Sequence, residues 1–292
     1  MNKEFNKGLF LAGFGSFWWG FFGVLYFKYI TFIGHIELVV HRCLWTTFTL
    51  IITTFFFSKW DIFFTIIKSK KNLLYLFVSG FLIFINWAVW IYAIATNRII
   101  DASFGYFMMP ILSVMLGYIF FKEKLNKKRI FSIILVIISI LYLLVVSFKS
   151  LPWVGLIVAL SWGFYNLIRK KINIDTDIGL LIESLYILPF ALIAFYLIAS
   201  NGYNDFELSN PPMMLFIFLA GPMTVIPLFL YVRGVELCGL GPTGMIFYIT
   251  PTLQFLLGYF YYDEAFSITK LVSFIFIWIA VIIYLKDLYE TD

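Results

Sequence analysis

The chain alternates long apolar runs with short polar interruptions, and the runs have the length of a lipid bilayer. A helix needs about 20 apolar residues to cross the hydrocarbon core. Ten such runs can be placed, near residues 8–27, 38–57, 73–95, 102–121, 130–148, 152–168, 178–199, 212–233, 243–262 and 271–286. The pattern predicts ten membrane-spanning helices, with the sixth and tenth short. The first run follows Lys3 and Lys7 and continues from Gly8 to Phe27 without a small-residue cleavage motif after it, so it reads as an uncleaved span.

Two of the runs repeat each other. Pro110, Leu112, Leu116, Gly117, Tyr118 and Glu123 recur as Pro251, Leu253, Leu257, Gly258, Tyr259 and Glu264, at a constant offset of 141. The first spans correspond as well: Ala12, Ser16 and Gly20 align with Gly155, Ala159 and Gly163 at an offset of 143. Self-similarity at a fixed period marks a duplicated unit. The expected units are residues 1–148 and 152–292, five spans each. An odd number of spans inserts the second unit upside down. The fold class expected is therefore an all-α integral membrane protein, ten transmembrane helices forming two inverted five-helix repeats. Inverted repeats of this kind are a transporter architecture, with sites near the midplane. Small residues at every fourth position let membrane helices approach closely. These stripes read as packing faces, or as faces that slide during a conformational cycle.

Charge supports the same topology. Of the 21 basic residues, 16 fall in loops on the side of the N-terminus, 4 fall on the other side, and Arg42 lies within a span. Positive charge stays cytoplasmic, which places both termini inside. The loop after Glu123 is strongly basic and its counterpart after Glu264 has only Lys270, as inversion requires. The chain is 62% hydrophobic and 13% charged, against about 45–50% and about 25% for soluble domains. The pI near 9 points to topology rather than nucleic acid, because the basic residues sit in short clusters between apolar runs. Cys43 and Cys238 read as small buried hydrophobes. No spacing suggests a disulfide framework, metal site or other cofactor.

Ionisable side chains inside a bilayer cost about 2.5–3.5 kcal/mol each on insertion scales. Glu37, His41 and Arg42 form the densest such group, with Glu37 and His41 four apart on one helical face. The trio reads either as an interfacial anchor or as a polar site facing the bundle. In the second reading Arg42 is a fixed positive charge for a carboxylate or phosphate, and His41 can couple proton movement. Glu183 begins the corresponding span of the second unit and reads as an interface residue or its counterpart. Asn86 and Trp87 lie mid-span; the aligned Pro227 and nearby Gly221-Pro222 predict a kinked or locally unwound eighth span. Ser113 and Gln254 each follow the repeated proline by three residues. They either glue helices together or form a polar ring around a small ligand. Trp19, Trp87, Tyr106, Trp162, Tyr165 and Tyr248 read as core packing or as an aromatic lining for an organic solute. No nucleophile elbow, HExxH or Walker loop occurs, so no enzymatic residues can be named.

The patches Glu37-Leu38-Val39-Val40-His41-Arg42, Asn86-Trp87, Ala102-Ser103-Phe104-Gly105-Tyr106-Phe107, Ser161-Trp162-Gly163-Phe164-Tyr165 and Tyr248-Ile249-Thr250-Pro251 resemble the EamA domain of the drug/metabolite transporter superfamily, and within it the RarD proteins. The resemblance implies ten spans, residence in a bacterial inner membrane, and transport of a small metabolite or drug-like solute. It leaves cargo, direction, coupling ion and oligomeric state open. The alternative class is a non-transporting membrane protein, either a scaffold or an enzyme with an unrecognised site.

Overall fold

A computed structural model describes residues 3–30, 32–95, 99–147, 153–172, 174–206, 211–261 and 268–291. These residues form helices and no strand. Helix α1 (Lys3–Trp18) passes through a π-helical turn (Trp19–Gly23) into α2 (Val24–Tyr29). There follow α3 (His35–Phe56), α4 (Trp60–Ile67), α5 (Lys70–Ala95), α6 (Ile99–Phe121) and α7 (Lys127–Ser147). The second part of the chain gives α8 (Trp153–Lys171), α9 (Thr176–Ser200), α10 (Pro211–Phe218), α11 (Ala220–Cys238), α12 (Leu240–Ile246), α13 (Ile249–Phe260) and α14 (Ile268–Thr291).

Among the described residues, seven helical stretches are long and apolar enough to cross a membrane. They are Lys3–Tyr29, His35–Phe56, Lys70–Ala93, Lys127–Val146, Thr176–Ser200, Pro211–Cys238 and Leu271–Glu290. The molecule is a multi-pass membrane protein. Its outer faces agree: Phe10, Phe55, Phe56, Tyr196 and Val145 are exposed, which is tolerable in lipid and costly in water. The three remaining predicted spans coincide with α6, α8 and the α12–α13 pair.

Two predicted spans are broken. The eighth parts between α10 and α11 at Leu219, three residues before Pro222. Proline suits a first helical turn, where its missing N–H would find no partner, so α11 starts there afresh. The ninth parts at Phe247–Tyr248, between α12 and α13. Glycines at 239, 241 and 244, with Pro242 and Pro251, weaken a continuous helix across this stretch. Gly239 ends α11 at φ 92°, a conformation glycine adopts without steric cost. Helix α4 lies in a segment expected to be a loop.

Packing crosses between the first and second parts of the chain. Helix α1 packs on α11, α6 on α8, α3 on α9, α5 on α8 and α9, and α7 on α14. Both small-residue stripes lie in these seams. A Cβ on Gly234 would sit 2.7 Å from the Gly8 carbonyl oxygen and 2.8 Å from the Ala12 Cβ. A Cβ on Gly105 would sit 2.5 Å from the Gly155 carbonyl oxygen. Without side chains in the way, the backbones touch, which is the main source of helix association in lipid.

The repeated Gly117 and Glu123 acquire a physical reason here. The Glu123 carboxylate accepts the backbone N–H groups of Leu240 and Gly241, each at 2.8 Å, at the start of α12. A Cβ on Gly117 would lie 2.5 Å from that carboxylate, so glycine six residues earlier leaves room for it. Burial raises the Glu123 carboxyl above its ordinary value of 4.5, and the two backbone donors, Lys170 and Arg129 oppose the shift. Residues 262–267, including the second copy's Glu264, lie outside the described residues.

Candidate functional site

A cavity opens where these seams meet. The π-helical turn supplies Trp19 and Gly23, α2 supplies Phe27 and α3 supplies Arg42. Helix α5 adds Asn86, Trp87 and Trp90, α6 adds Tyr106 and Met109, and α8 adds Val158 and Trp162. The α12–α13 break adds Phe247, Thr250 and Gln254. About 40 Å³ of the space between these side chains admits the centre of a water-sized sphere. The cavity is therefore a narrow slot in this conformation.

Local backbone irregularity builds the wall. A π turn places an extra residue in one turn of helix and recurs at functional sites; here it presents Trp19. The α12–α13 break turns Phe247 into the slot. Thr250 meanwhile ties back by donating to the Ser16 carbonyl at 2.8 Å. The rings form one connected group. Trp19 meets Trp162 edge-on at 4.9 Å between centroids, and Phe247 lies 6.2 Å from Trp162 and 5.8 Å from Tyr106.

Arg42 is the charged group of the cavity. Its side chain is 4% exposed. Nε donates to the Thr224 hydroxyl at 3.1 Å. The guanidinium carbon lies 4.6 Å from the Trp87 ring centroid, 4.8 Å from Phe27 and 5.8 Å from Trp90. Such contacts are worth roughly 0.5–2 kcal/mol each, more when desolvated. Among the described residues no carboxylate pairs with it: its electrostatic neighbours are Tyr106, Cys43 and Tyr26, all neutral at pH 7.

Glu37 and His41, predicted to share the site, serve another place. Glu37 Oε1 is 3.2 Å from His41 Nε2, so the predicted pair forms. The same carboxylate accepts the Asp205 N–H at 2.8 and 3.0 Å and the Phe206 N–H at 3.1 Å. It thus fastens the segment after α9 to the start of α3. His41 packs among Trp45, Phe195 and Phe206 and does not line the slot.

The other predicted residues divide. Arg42, Asn86, Trp87, Tyr106, Trp162 and Gln254 line the slot together. Asn86 spends both amide protons on the Val158 carbonyl and the Ser161 hydroxyl, at 3.0 and 3.1 Å, leaving its oxygen as the group it can offer. Ser113 bonds to Met109 Sδ at 3.3 Å and packs beneath Gly244. Tyr248 donates to the Phe107 carbonyl at 2.9 Å. Tyr165 stacks behind Trp162 and donates to Glu183 at 3.2 Å. Phe27, Trp90, Met109 and Phe247 were not named as lining residues from sequence, since apolar and aromatic side chains carry no contrast in so apolar a chain; Thr250 appeared only within a patch of the family resemblance.

A second buried ionic group lies away from the slot. Glu183, in α9, accepts the Ser79 hydroxyl at 2.6 Å and faces Arg169 Nη1 at 3.5 Å. Arg169, fully buried, also donates to the Thr176 carbonyl at 3.0 Å and faces Glu236 at 3.7 Å. The sequence marked Glu183 as a span-end residue; burial by α5 and α8 makes it part of a core network instead.

Crossing helices, broken spans and a slot lined by rings and an arginine describe a polytopic membrane protein with an internal cavity. The comparisons say which. A family model described as "EamA-like transporter family" matches residues 6–145. "Protein RarD" of Escherichia coli (strain K12) is 33% identical over 99% of this chain and 97% of its own length. "Uncharacterized transporter YojE" of Bacillus subtilis (strain 168) is 34% identical over 97% of this chain and 95% of its own. A solved crystal structure matches with a TM-score of 0.69 at 13% identity, covering 94% of this chain and 96% of that one, which speaks to the fold alone. The chain belongs to the EamA-like transporter family, as a RarD-like member.

Proposed function

We propose that this protein is a secondary transporter that carries a small metabolite or drug-like solute through the slot around Arg42 by alternating access. The observation that carries the reading is a buried cation without a carboxylate partner, in a ring-lined space between helices from both parts of the chain. A static structural role would be served more cheaply by an apolar side chain. The inverted arrangement of residues 1–148 and 152–292, as ten spans, fits the reciprocal packing: α1 on α11 and α8 on α5. Each first helix uses its small-residue stripe to pack across the seam. Glu37 and Glu183 then fasten opposite ends of the bundle, and movement between the repeats would loosen one while tightening the other. Proton coupling through His41 would act on the Glu37 fastening, since His41 does not reach the slot.

Purified protein in liposomes is expected to catalyse counterflow of a small organic solute. A transported solute present at 100 times its dissociation constant should stabilise the protein by about 2.7 kcal/mol, read as a rise in melting temperature. Neither effect across a metabolite panel would leave the scaffold or enzyme reading.

The 16-to-4 basic asymmetry supports both termini on the cytoplasmic side of a bacterial inner membrane. Cys43 and Cys238 are buried, so the background of thiol labelling should be low. A cysteine introduced at Lys124 should be protected from impermeant thiol reagents in intact cells, and one at Tyr203 should react. The reverse labelling would invert the proposed orientation.

A further inference from the structure

The slot holds more information about its ligand than its size. We infer that it takes an organic monoanion with a flat, apolar body, such as an aromatic monocarboxylate; the inference rests on the transporter reading and deepens it. The sign of the charge comes from Arg42. An arginine keeps its charge at any relevant pH, and a buried charge is stable only when paired or well hydrogen-bonded. Here one N–H is given to Thr224. The π-faces of Phe27, Trp87 and Trp90 supply partial compensation. Among the described residues no acidic side chain borders the slot. The neighbouring acid on α3, Glu37, is committed to His41 and to the N–H groups of Asp205 and Phe206. The missing partner is a negative charge that arrives with the ligand, and a carboxylate matches the planar guanidinium.

The amount of charge comes from what else lines the wall. Among the described residues Arg42 is the single basic residue of the lining, so one negative charge is neutralised and a second is not. A phosphate monoester would bring an unpaired charge into an apolar slot. A cation meets the field of Arg42 with no acid to offset it. A zwitterion brings an ammonium group against the same field, and the rings nearest Arg42 already face its guanidinium. The body of the ligand comes from the shape. Trp19, Trp162, Tyr106 and Phe247 form connected ring walls, and aromatic walls close on flat groups by offset or edge contact. Thr250, Gln254 and the oxygen of Asn86 remain for a polar edge.

The test uses purified full-length protein and a matched set of probes: indole-3-acetate, its neutral amide indole-3-acetamide, the cation tryptamine, the zwitterion tryptophan and the dianion phenyl phosphate. Binding is read from the rise in melting temperature and from competition against radiolabelled indole-3-acetate. The expected result is saturable binding of indole-3-acetate, with each of the other four at least roughly tenfold weaker, the factor a lost charged hydrogen bond carries. R42Q, which keeps polarity and loses charge, should bind the acid and the amide alike. N86D, which sets a carboxylate in the lining, should reject the acid. The wild-type comparison stands even if neither variant folds. Equal or tighter binding of the amide, tryptamine, tryptophan or phenyl phosphate overturns the assignment, as does no binding of indole-3-acetate. Counterflow in liposomes separates the two claims. Indole-3-acetate bound but not carried leaves the ligand class standing and removes the transport reading. Carriage of neutral or cationic congeners in preference to the acid does the reverse.

Discussion

Arg169→Met is expected to lower the stability of the folded protein by about 3–5 kcal/mol, the usual loss when one member of a buried ion pair is removed. Arg169 is fully buried and faces Glu183 and Glu236 at 3.5 and 3.7 Å. Its loss strands Glu183, 2% exposed, among α5, α8 and α9 with only the Ser79 and Tyr165 hydroxyls for partners. The double variant Arg169→Met/Glu183→Gln removes the charge on both sides and should recover most of the loss. Melting in detergent measures both, and equal damage by the single and double variants would show that packing, not charge pairing, holds this region. The expected contrast is that replacing both members costs little and removing one costs much.

Glu37→Ala should act on conformation more than on stability. The carboxylate receives three close contacts from the N–H groups of Asp205 and Phe206, between 2.8 and 3.1 Å. Hydrogen bonds to a charged group contribute about 1.5–3 kcal/mol each. With two N–H donors, even half of that sum, on the order of 2 kcal/mol, shifts an open–closed equilibrium roughly thirtyfold. A cysteine placed at Gln254, in the slot, should become far more reactive toward an impermeant thiol reagent added on the side of the 201–206 segment. Unchanged labelling at that cysteine would mean the segment is held by other contacts, such as Gly34 N–H on Asp205. His41→Ala should show the same effect in weaker form, since it removes one partner of Glu37 and leaves the carboxylate.

How far the sequence carried follows from contrast. Apolar runs stand out against polar loops, so the seven membrane-length stretches were legible to within about five residues. Arg42 and Asn86 were legible because polar side chains are expensive in the middle of apolar runs. Gln254 stood out for the same reason. The split roles of Glu37 and Arg42 were not legible: five residues apart on α3, they face different neighbours, and only the placement of the 201–206 segment decides where Glu37 points. Ser113, Tyr165 and Tyr248 show the limit for hydroxyls. Each satisfies itself on a nearby group, Met109, Glu183 or the Phe107 carbonyl, and sequence spacing does not reveal which donor finds such a partner. Aromatic residues are 22% of the chain, so Phe27, Trp90 and Phe247 had nothing to distinguish them from lipid-facing rings. The break at Phe247–Tyr248 had a visible cause in its glycines and prolines, but a continuous apolar run masked it.

The buried guanidinium of Arg42 bears on the energy economy of the cell. A bacterial membrane stores work as a voltage and a proton gradient, and any protein that spans it is a potential short circuit. Fixed positive charge in a narrow, poorly hydrated passage repels protons and sodium ions, as arginines do in water-conducting pores. The slot here is tight, about 40 Å³ to a water-sized sphere, and its charge is positive. If the slot carries an anion as proposed, the unloaded protein would insulate against cation leak, and the charge that selects its cargo would also preserve the battery across which the cargo moves.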